Sequence, residues 1–426
     1  MKVLLVGSGG REHAIAWKLA QSPRISKLFC APGNAGTAET AQNIPIPAED
    51  IHSLLDFAKK EKIDFTIIGP EAPLVLGVVD LFTQNGLRIF GPTKAAAQLE
   101  GSKIFMKQML VKASVPTAQY HTFTALAPAL AHLDTAQFPL VVKADGLAAG
   151  KGVLVTADKK EAADFISASM SQKMFGESGE KIIIEQFLDG EEASYIVASD
   201  GQRFVPLASA QDHKRAFDGD NGPNTGGMGA YSPAPVVTPE LEQKIKETII
   251  TPLIDTMRRE GAEFRGFLYA GIMVVKGEPL VLEFNARLGD PETQPLLFRY
   301  QGDLLDLLEA SAAGDVSKIK LEWKNDVAVC IVIASGGYPG EFKKGFPIEG
   351  LGSCSGNSFV FHAGTKLDGG RVVTAGGRVL GVTASAPTIK EATKLAYECA
   401  AKIKFTGMAY RKDIAHRAIS RSSKPA

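Results

Sequence analysis

Over residues 1–95, short apolar runs alternate with polar, helix-like stretches. The runs KVLLV, KLFCA, DFTII and LRIF each stop at a turn: GSGG, PGNAG, GPEAP and GPT. Residues 13–20 and 52–60 between them read as helices. Strands alternating with helices predict a parallel sheet with right-handed crossovers. Ligands of such sheets sit beyond the carboxyl ends of the strands, where these glycine-rich turns lie.

The texture changes near Gly101. SKIFMKQMLVKA predicts a helix that stops before Pro116, and FPLVVKADG and KIIIEQFL read as strands, with the glycine-rich turn GLAAGKGV between them. Residues 211–235, QDHKRAFDGDNGPNTGGMGAYSPAP, are dense in Gly, Pro, Asn and Asp. A structureless loop of that length between patterned elements is expected to be functional. Residues 239–260 predict a helix, and FLYAGIMVV and PLVLEFNA predict strands. A third block starts near Asn325, with strands DVAVCIVIAS, FVFHAG and RVLGVTAS, a helix over 388–403 and a frayed tail. Length and these changes suggest three domains, 1–100, 101–324 and 325–426.

Composition narrows the partners. With 47 basic and 47 acidic side chains, the chain has no general attraction for nucleic acid or an anionic membrane. A phosphate-bearing ligand must therefore be held by local features. No apolar run approaches the ~20 residues that span a bilayer. The opening run is too short and too soon broken by glycine for a signal-peptide core, so a cytoplasmic protein is expected. Cys30, Cys330, Cys354 and Cys399 have no CxxC spacing and are expected to be buried thiols.

Two turns invite a phosphate reading. A dinucleotide fingerprint needs GxGxxG and an acid about 20 residues later. Here the third glycine position holds Glu12, and the second apolar run ends in Cys30-Ala31-Pro32-Gly33 with no carboxylate. What remains is a helix N-terminus around Gly9 and Gly10 that suits an anion, with Arg11 beside it. KADGLAAGKGV fails as a Walker loop, because only three residues separate Gly146 from Gly150 and Gly152 follows Lys151. Its glycines still offer backbone donors, and Lys143 and Lys151 offer cations for phosphate oxygens.

LEFNARLGDPETQ carries the most chemistry. In an extended strand Glu283, Asn285 and Arg287 project from one face, with Phe284 and Ala286 opposite. Glu and Asn oxygens suit Mg²⁺ completed by water and phosphate, and Arg287 can stabilise charge on a transferring group.

Taken in order, GSGGREHA, PGNAGT, GPEAPLV, LEGSK, VVKADGLAAGKGV, EQFLDGEEAS, QDHKRAFDGDNGPNTGGMGAYSP, LYAGIM, LEFNARLGDPETQ, FHAGT and GGRVLGVTA resemble the ATP-grasp ligases, and within them the phosphoribosylamine–glycine ligases. The resemblance covers nearly the whole chain. It departs at Leu288, where the family usually has Phe, and at Ala375, where it usually has Asn. Leu288 stays apolar, so altered packing with retained activity is expected, whereas Ala375 weakens inferences about contacts in the C-terminal domain.

The resemblance implies a multidomain α/β and α+β fold. Its parts are a Rossmann-like N-terminal parallel sheet, an ATP-grasp core with a mobile lid subdomain over about 121–190, and a small α+β C-terminal domain. It implies ATP and Mg²⁺ (or Mn²⁺) as cofactors, glycine and 5-phosphoribosylamine as substrates, neither nucleic acid nor membrane as partner, and a monomer.

The resemblance also assigns roles. Lys103, Lys143, Gly146, Gly150, Lys151 and Gly152 would meet the nucleotide phosphates. Glu185, Gln186, Phe187 and Leu188 would form the adenine hinge, and Glu192 would hold the ribose, with Glu191 as its alternative. Glu283 and Asn285 would bind metal, and Arg287 would face the acyl phosphate. Asp212 and Lys214, with Gly226, Gly227 and Met228 nearby, would border the glycine and sugar sites. Gly9, Gly10, Arg11, Asn34, Glu71 and Pro73 would face the phosphoribosylamine. His13 and His213 lie in these motifs and are expected to serve packing or hydrogen bonding. A biotin-dependent carboxylase or another ATP-grasp ligase would share the nucleotide and metal motifs but leave residues 211–235 unexplained. A non-catalytic nucleotide binder is argued against by the intact Lys143, Glu283, Asn285 and Arg287.

Overall fold

A computed structural model describes residues 1–147, 152–354 and 356–422. Gly150 and Lys151, expected at the nucleotide phosphates, and residues 148 and 149 of the same glycine-rich turn lie outside the described residues.

The N-terminal sheet is parallel throughout, in the order Gln42–Asn43, Lys27–Pro32, Lys2–Gly7, Phe65–Ile68, Ile89–Phe90. The first strand is apolar without alternation because both its faces are buried. Leu4 and Val6 enter one hydrophobic cluster, Val3 and Leu5 another. At its carboxyl end Gly7 has φ +129°, and a Cβ there would meet the Glu12 side chain at 2.4 Å. Glu12 folds back so that its carboxylate accepts from the Gly9 N–H at 2.6 Å. The glutamate in the third glycine position thus caps the helix Gly10–Leu19 from within the chain.

Among the described residues three further sheets of four or more strands follow, beside two two-stranded hairpins. Tyr120–Phe123, Ile182–Gln186, Leu140–Ala144 and Val153–Thr156 form an antiparallel sheet. The helices Leu126–His132 and Lys159–Met170 close a small core of their own over it. A central sheet runs Phe204–Pro206, Glu191–Asp200, Arg265–Val275, Glu278–Asn285. The last has the order Gln211–Asp212, Gly229–Ser232, Val327–Ser335, Arg378–Ala386, Ser358–His362, with Met408–Ala409 beside Val327–Ser335.

Residues 211–235 are therefore not structureless. They contain two strands of the last sheet and, between them, the hairpin Arg215–Phe217/Asn221–Asn224. Glycines and prolines hid these strands, which are only two to four residues long. The helix expected over 239–260 is continuous but contains a π-helical turn, Lys246–Ile250, between Pro239–Ile245 and Thr251–Arg259. Pro252, the second residue of the latter, has no N–H for the α-helical ladder, and the wider turn accommodates that loss.

The cysteine expectation needs correction. Cys30 and Cys330 are buried thiols, but Cys354 and Cys399 form a disulfide with Cα atoms 5.5 Å apart. The fold lays the loop at 354 against the helix Ile389–Ala400, a pairing of residues 45 apart that spacing does not reveal. Among the described residues no helix is long and apolar enough to cross a membrane.

Gly364 marks a close backbone crossing, since a Cβ there would lie 2.5 Å from the Gly376 Cα and 2.7 Å from the Arg378 carbonyl oxygen. Backbone cannot yield as a side chain can. Gly364→Ala is expected to cost about 1–3 kcal/mol, read as a lower denaturation midpoint. An unchanged midpoint would show that these two loops separate freely.

Candidate active site

Two adjoining cavities lie where the central sheet meets its neighbours. The first, about 420 Å³, is reached by Lys103, Asp212, Lys214, Glu283, Asn285 and Arg287. The second, about 200 Å³, lies between the 120–186 sheet and the central sheet and shares Lys214, Thr225 and Glu283 with the first. A third, about 470 Å³, separates the turns at Gly9 and Asn34 from the C-terminal loops at Gly364 and Ala375. Arg378 and Asp290 line both it and the first cavity.

The carboxylate strand behaves as its alternation predicts. Phe284 and Ala286 are each 2% exposed in the hydrophobic core, while Glu283, Asn285 and Arg287 line the first cavity. The strand ends at Asn285, so Arg287 sits in the bend that follows. Gly271 pairs with Glu283 across the sheet, leaving the carboxylate clear of a neighbouring side chain on that strand.

Arg287 is gripped from two sides. Its Nη2 is 2.7 Å from Glu100 and its Nε is 3.1 Å from Glu71. Glu100 also accepts from the Ala286 N–H at 2.7 Å, which fixes the bend itself. Burial raises Glu100 to about 7 against the pull of Arg287. Burial also acts on Glu71, but Arg287 and Arg11 outweigh it and hold Glu71 at about 2.

Lys214 lies 2.7 Å from Glu192 and 3.6 Å from Glu283. Burial would lower its pKa, yet the surrounding carboxylates hold it well above the usual range. Asp212 moves the other way. Burial raises it to about 8, and the carboxylates of Glu292, Glu192 and Glu283 add to that despite Lys214. Tyr269 and Glu292 complete this wall of the cavity.

In the second cavity Val153, Val155, Leu188, Met273 and Leu282 offer apolar surface, with Gln186 and Phe187 at its edge. Glu185 lines it too, but its carboxylate is a buried counter-ion. It lies 3.0 Å from the Lys107 ammonium and 2.8 Å from that of Lys143. Lys143 also donates to the Leu282 carbonyl at 3.0 Å, and Lys103 to that of Gly146 at 2.9 Å.

The residues expected beside the sugar divide. Gly9 and Asn34 line the third cavity, and Arg11, Glu71 and Gly226 the first. Asn34 is less free than expected, because its Nδ2 donates to the Ser8 and His362 carbonyls and its Oδ1 accepts from Gly36 and Thr37. Arg11 is paired with Glu12 and donates to the Leu288 carbonyl. Gly10, Pro73, Gly227 and Met228 line none of these cavities. A Cβ on Gly10 would meet Gln294, one on Gly227 would meet Pro291, and Pro73 and Met228 are buried.

Both histidines accept from backbone, His13 Nδ1 from the His362 N–H at 2.7 Å and His213 Nε2 from the Ala415 N–H at 2.9 Å. Burial lowers His13 to about 3 and keeps it neutral.

Glu100, Asp290, Glu292, Tyr269 and Arg378 were missed by motif reading, although each lies in or beside a quoted stretch. Asking what neutralises Arg287 would have pointed to the nearby acids. Arg378 had no such signal, since it reaches Asp290 and the Gly226 carbonyl from another sheet.

Among the described residues no group of three or more His, Cys, Asp or Glu is arranged to hold a metal ion. A divalent cation at Glu283 and Asn285 would draw two oxygen donors from the protein, which suits Mg²⁺ completed by phosphate and water.

Comparison with known proteins identifies the family. Residues 1–100, 101–293 and 328–417 match, in turn, the N, ATP-grasp (A) and C domains of phosphoribosylglycinamide synthetase. The phosphoribosylamine–glycine ligase of Pseudomonas aeruginosa is 53% identical over 425 residues, covering 99% of each chain. That of Salmonella typhi is 54% identical over 426 residues, with the same coverage. The crystal structure of the Thermotoga maritima phosphoribosylamine–glycine ligase superposes with a TM-score of 0.85 at 34% identity, covering 97% of this chain and 100% of that one. A Campylobacter jejuni biotin carboxylase complex shares the fold, with a TM-score of 0.74 at 14% identity over 96% of this chain and 92% of that one. The chain belongs to the phosphoribosylamine–glycine ligase family.

Proposed function

We propose that the chain joins glycine to 5-phospho-β-D-ribosylamine at the expense of ATP, giving glycinamide ribonucleotide, ADP and phosphate in purine biosynthesis. The observation that carries this reading is the placement of Glu283, Asn285 and Arg287 in a cavity continuous with an apolar slot edged by Gln186 and Leu188. The first holds a reacting phosphoryl group, the second an adenine.

A glycine carboxylate does not condense with an amine in water, because oxide is a poor leaving group. An oxygen of that carboxylate attacks the ATP γ-phosphorus, the bond to the β-phosphate oxygen breaks, and ADP leaves. The sugar amine then attacks the carbonyl carbon of glycyl phosphate, phosphate departs and the nitrogen loses a proton. Arg287 faces the acyl phosphate and stabilises its charge. Lys103 and Lys143, with backbone at Gly146 and Gly152, hold the nucleotide phosphates, joined by Gly150 and Lys151. Backbone groups of Gln186 and Leu188 read the base edge beside Phe187, and Glu192 meets the ribose.

Glu283 and Asn285 would hold Mg²⁺ or Mn²⁺, which supplies charge neutralisation between phosphates. Asp212 and Lys214 border glycine, and Gly9, Asn34, Arg11, Glu71 and Gly226 border the sugar phosphate. Closure of the 121–190 lid would protect the acyl phosphate from hydrolysis. The protein supplies position and charge, and the nucleophiles come from the substrates. The reading extends to a cytoplasmic monomer, as the family resemblance implies.

The test is ADP release with freshly generated phosphoribosylamine. Release is expected only with glycine and the amine together. Equal turnover with bicarbonate and no glycine would replace this reading by a carboxylase, whose fold is similar.

A further inference from the structure

Of the seven histidines, His13, His213, His362 and His416 use ring nitrogens in hydrogen bonds within the chain. His121 and His132 differ. Their ring centroids lie 4.4 Å apart, and among the described residues none of their four ring nitrogens has a hydrogen-bond partner. Neither lines any of the three cavities of the candidate site. The sheet edge brings them together. Tyr120–Phe123 is an outer strand of its sheet, and its alternation turns His121 and Phe123 to one face. The helix Leu126–His132 folds back on that face, with Leu126 and Leu130 packed on the same small core as Phe123. Its last residue, His132, arrives beside His121, and its ring centroid is also 5.2 Å from that of Phe123. His121 is exposed and His132 half-buried, so solvent ions reach the pair. Burial, and then the charge of His121, lower the pKa of His132, which favours the neutral form that a metal requires.

Two imidazoles that share one ion at bond lengths of about 2.0–2.1 Å have ring centres about 4.5–5.2 Å apart. The observed separation is just below that range, and a small outward swing of the exposed His121 ring reaches it. We propose that His121 and His132 bind one first-row transition-metal dication of the Zn²⁺, Ni²⁺ or Cu²⁺ class, with water in the remaining positions. Imidazole nitrogen selects these ions over Mg²⁺ and Ca²⁺, which take oxygen ligands. The site is thus separate, in place and in chemistry, from Glu283 and Asn285, and it does not depend on the ligase reading. The ion ties the edge strand to the helix that covers it and stiffens this corner of the 120–186 sheet.

The experiment titrates Zn²⁺ calorimetrically into the full-length, untagged protein, stripped of metal and held in excess Mg²⁺ so that oxygen-ligand sites are occupied. One Zn²⁺ is expected to bind in the wild type. Its affinity should fall about 10–100-fold in His121→Ala and in His132→Ala, and stay unchanged in His52→Ala, which alters an exposed histidine on another domain. His121→Ala removes an exposed ring, so its melting temperature without Zn²⁺ should match the wild type within about 2 °C. Anomalous scattering at the zinc absorption edge should place the ion between the two rings. At a Zn²⁺ concentration 100 times Kd, amide hydrogen exchange in residues 120–136 should slow by up to about 100-fold in the wild type and not in His121→Ala. Undiminished Zn²⁺ affinity in His121→Ala would overturn the proposal. So would no Zn²⁺ binding by the wild type in excess Mg²⁺, or an ion located away from these rings.

Discussion

Glu283→Gln is expected to lower kcat by about 10³-fold, or roughly 4 kcal/mol of transition-state stabilisation. The substitution keeps the shape and one oxygen donor but removes the negative charge expected to hold the cation between the phosphates. The fold should scarcely notice. Glu283 opens into the cavity, and its neighbour Lys214 keeps the closer contact with Glu192 at 2.7 Å. The melting temperature should therefore stay within about 2 °C, while the Mg²⁺ concentration needed for half-maximal rate rises. Turnover within threefold of wild type would remove Glu283 from the metal site. An equal collapse of stability and activity would make it a structural residue.

Glu185→Gln should have the opposite signature. Lys107 is completely buried, Lys143 nearly so, and Glu185 lies between them. Burial opposes ionisation of Glu185, but Lys143 and Lys107 together hold it below the usual carboxylate range. The charge it contributes is present above the unfolded pKa and is lost as pH falls through the lower folded one. Removing it leaves two buried ammonium groups without a counter-charge, a loss of about 3–5 kcal/mol. Lys107→Met should cost less, because Glu185 keeps Lys143. Thermal and denaturant unfolding at neutral pH should rank wild type above Lys107→Met above Glu185→Gln. The reverse ranking would mean that the two lysines are not held by this carboxylate. ATP affinity should fall with Glu185→Gln as well, since Lys143 ties the 120–186 sheet to the Leu282 carbonyl.

Much of this was legible in residue order. Runs such as KVLLV and DFTII are buried on both faces and parallel, as uninterrupted apolar strands between helices should be. The alternation of LEFNAR put Glu283, Asn285 and Arg287 on the cavity and Phe284 and Ala286 in the core, with Phe284 also touching the cavity, because a strand's two-residue period is a local property. The short strands of residues 211–232 were not legible, since two to four residues rich in glycine carry no period. Gly229–Ser232 exists because the strand Val327–Ser335, about 100 residues away in sequence, offers an edge to pair with, and Gln211–Asp212 adds to Gly229–Ser232 in turn. Glycine turns misled in another way. Gly9 opens onto a cavity while Gly10 and Gly227 serve close packing, and the letters alone do not distinguish the two uses.

Residue order therefore sufficed for the longer strands, the helices and the rejection of the dinucleotide and Walker readings, and it named the candidates for phosphate and metal. All of these rest on backbone preferences and spacings within a few residues. Which charges offset one another was left to the folded chain. Glu71 reaches Arg287 across 216 positions, and Arg378 reaches Asp290 across 88. Cys354 finds Cys399, and among the described residues Asp212 and Glu292 make no ion pair in a cavity full of pairs. Ion pairing falls off over a few ångströms, so it follows distance in space, and only packing between sheets sets that distance.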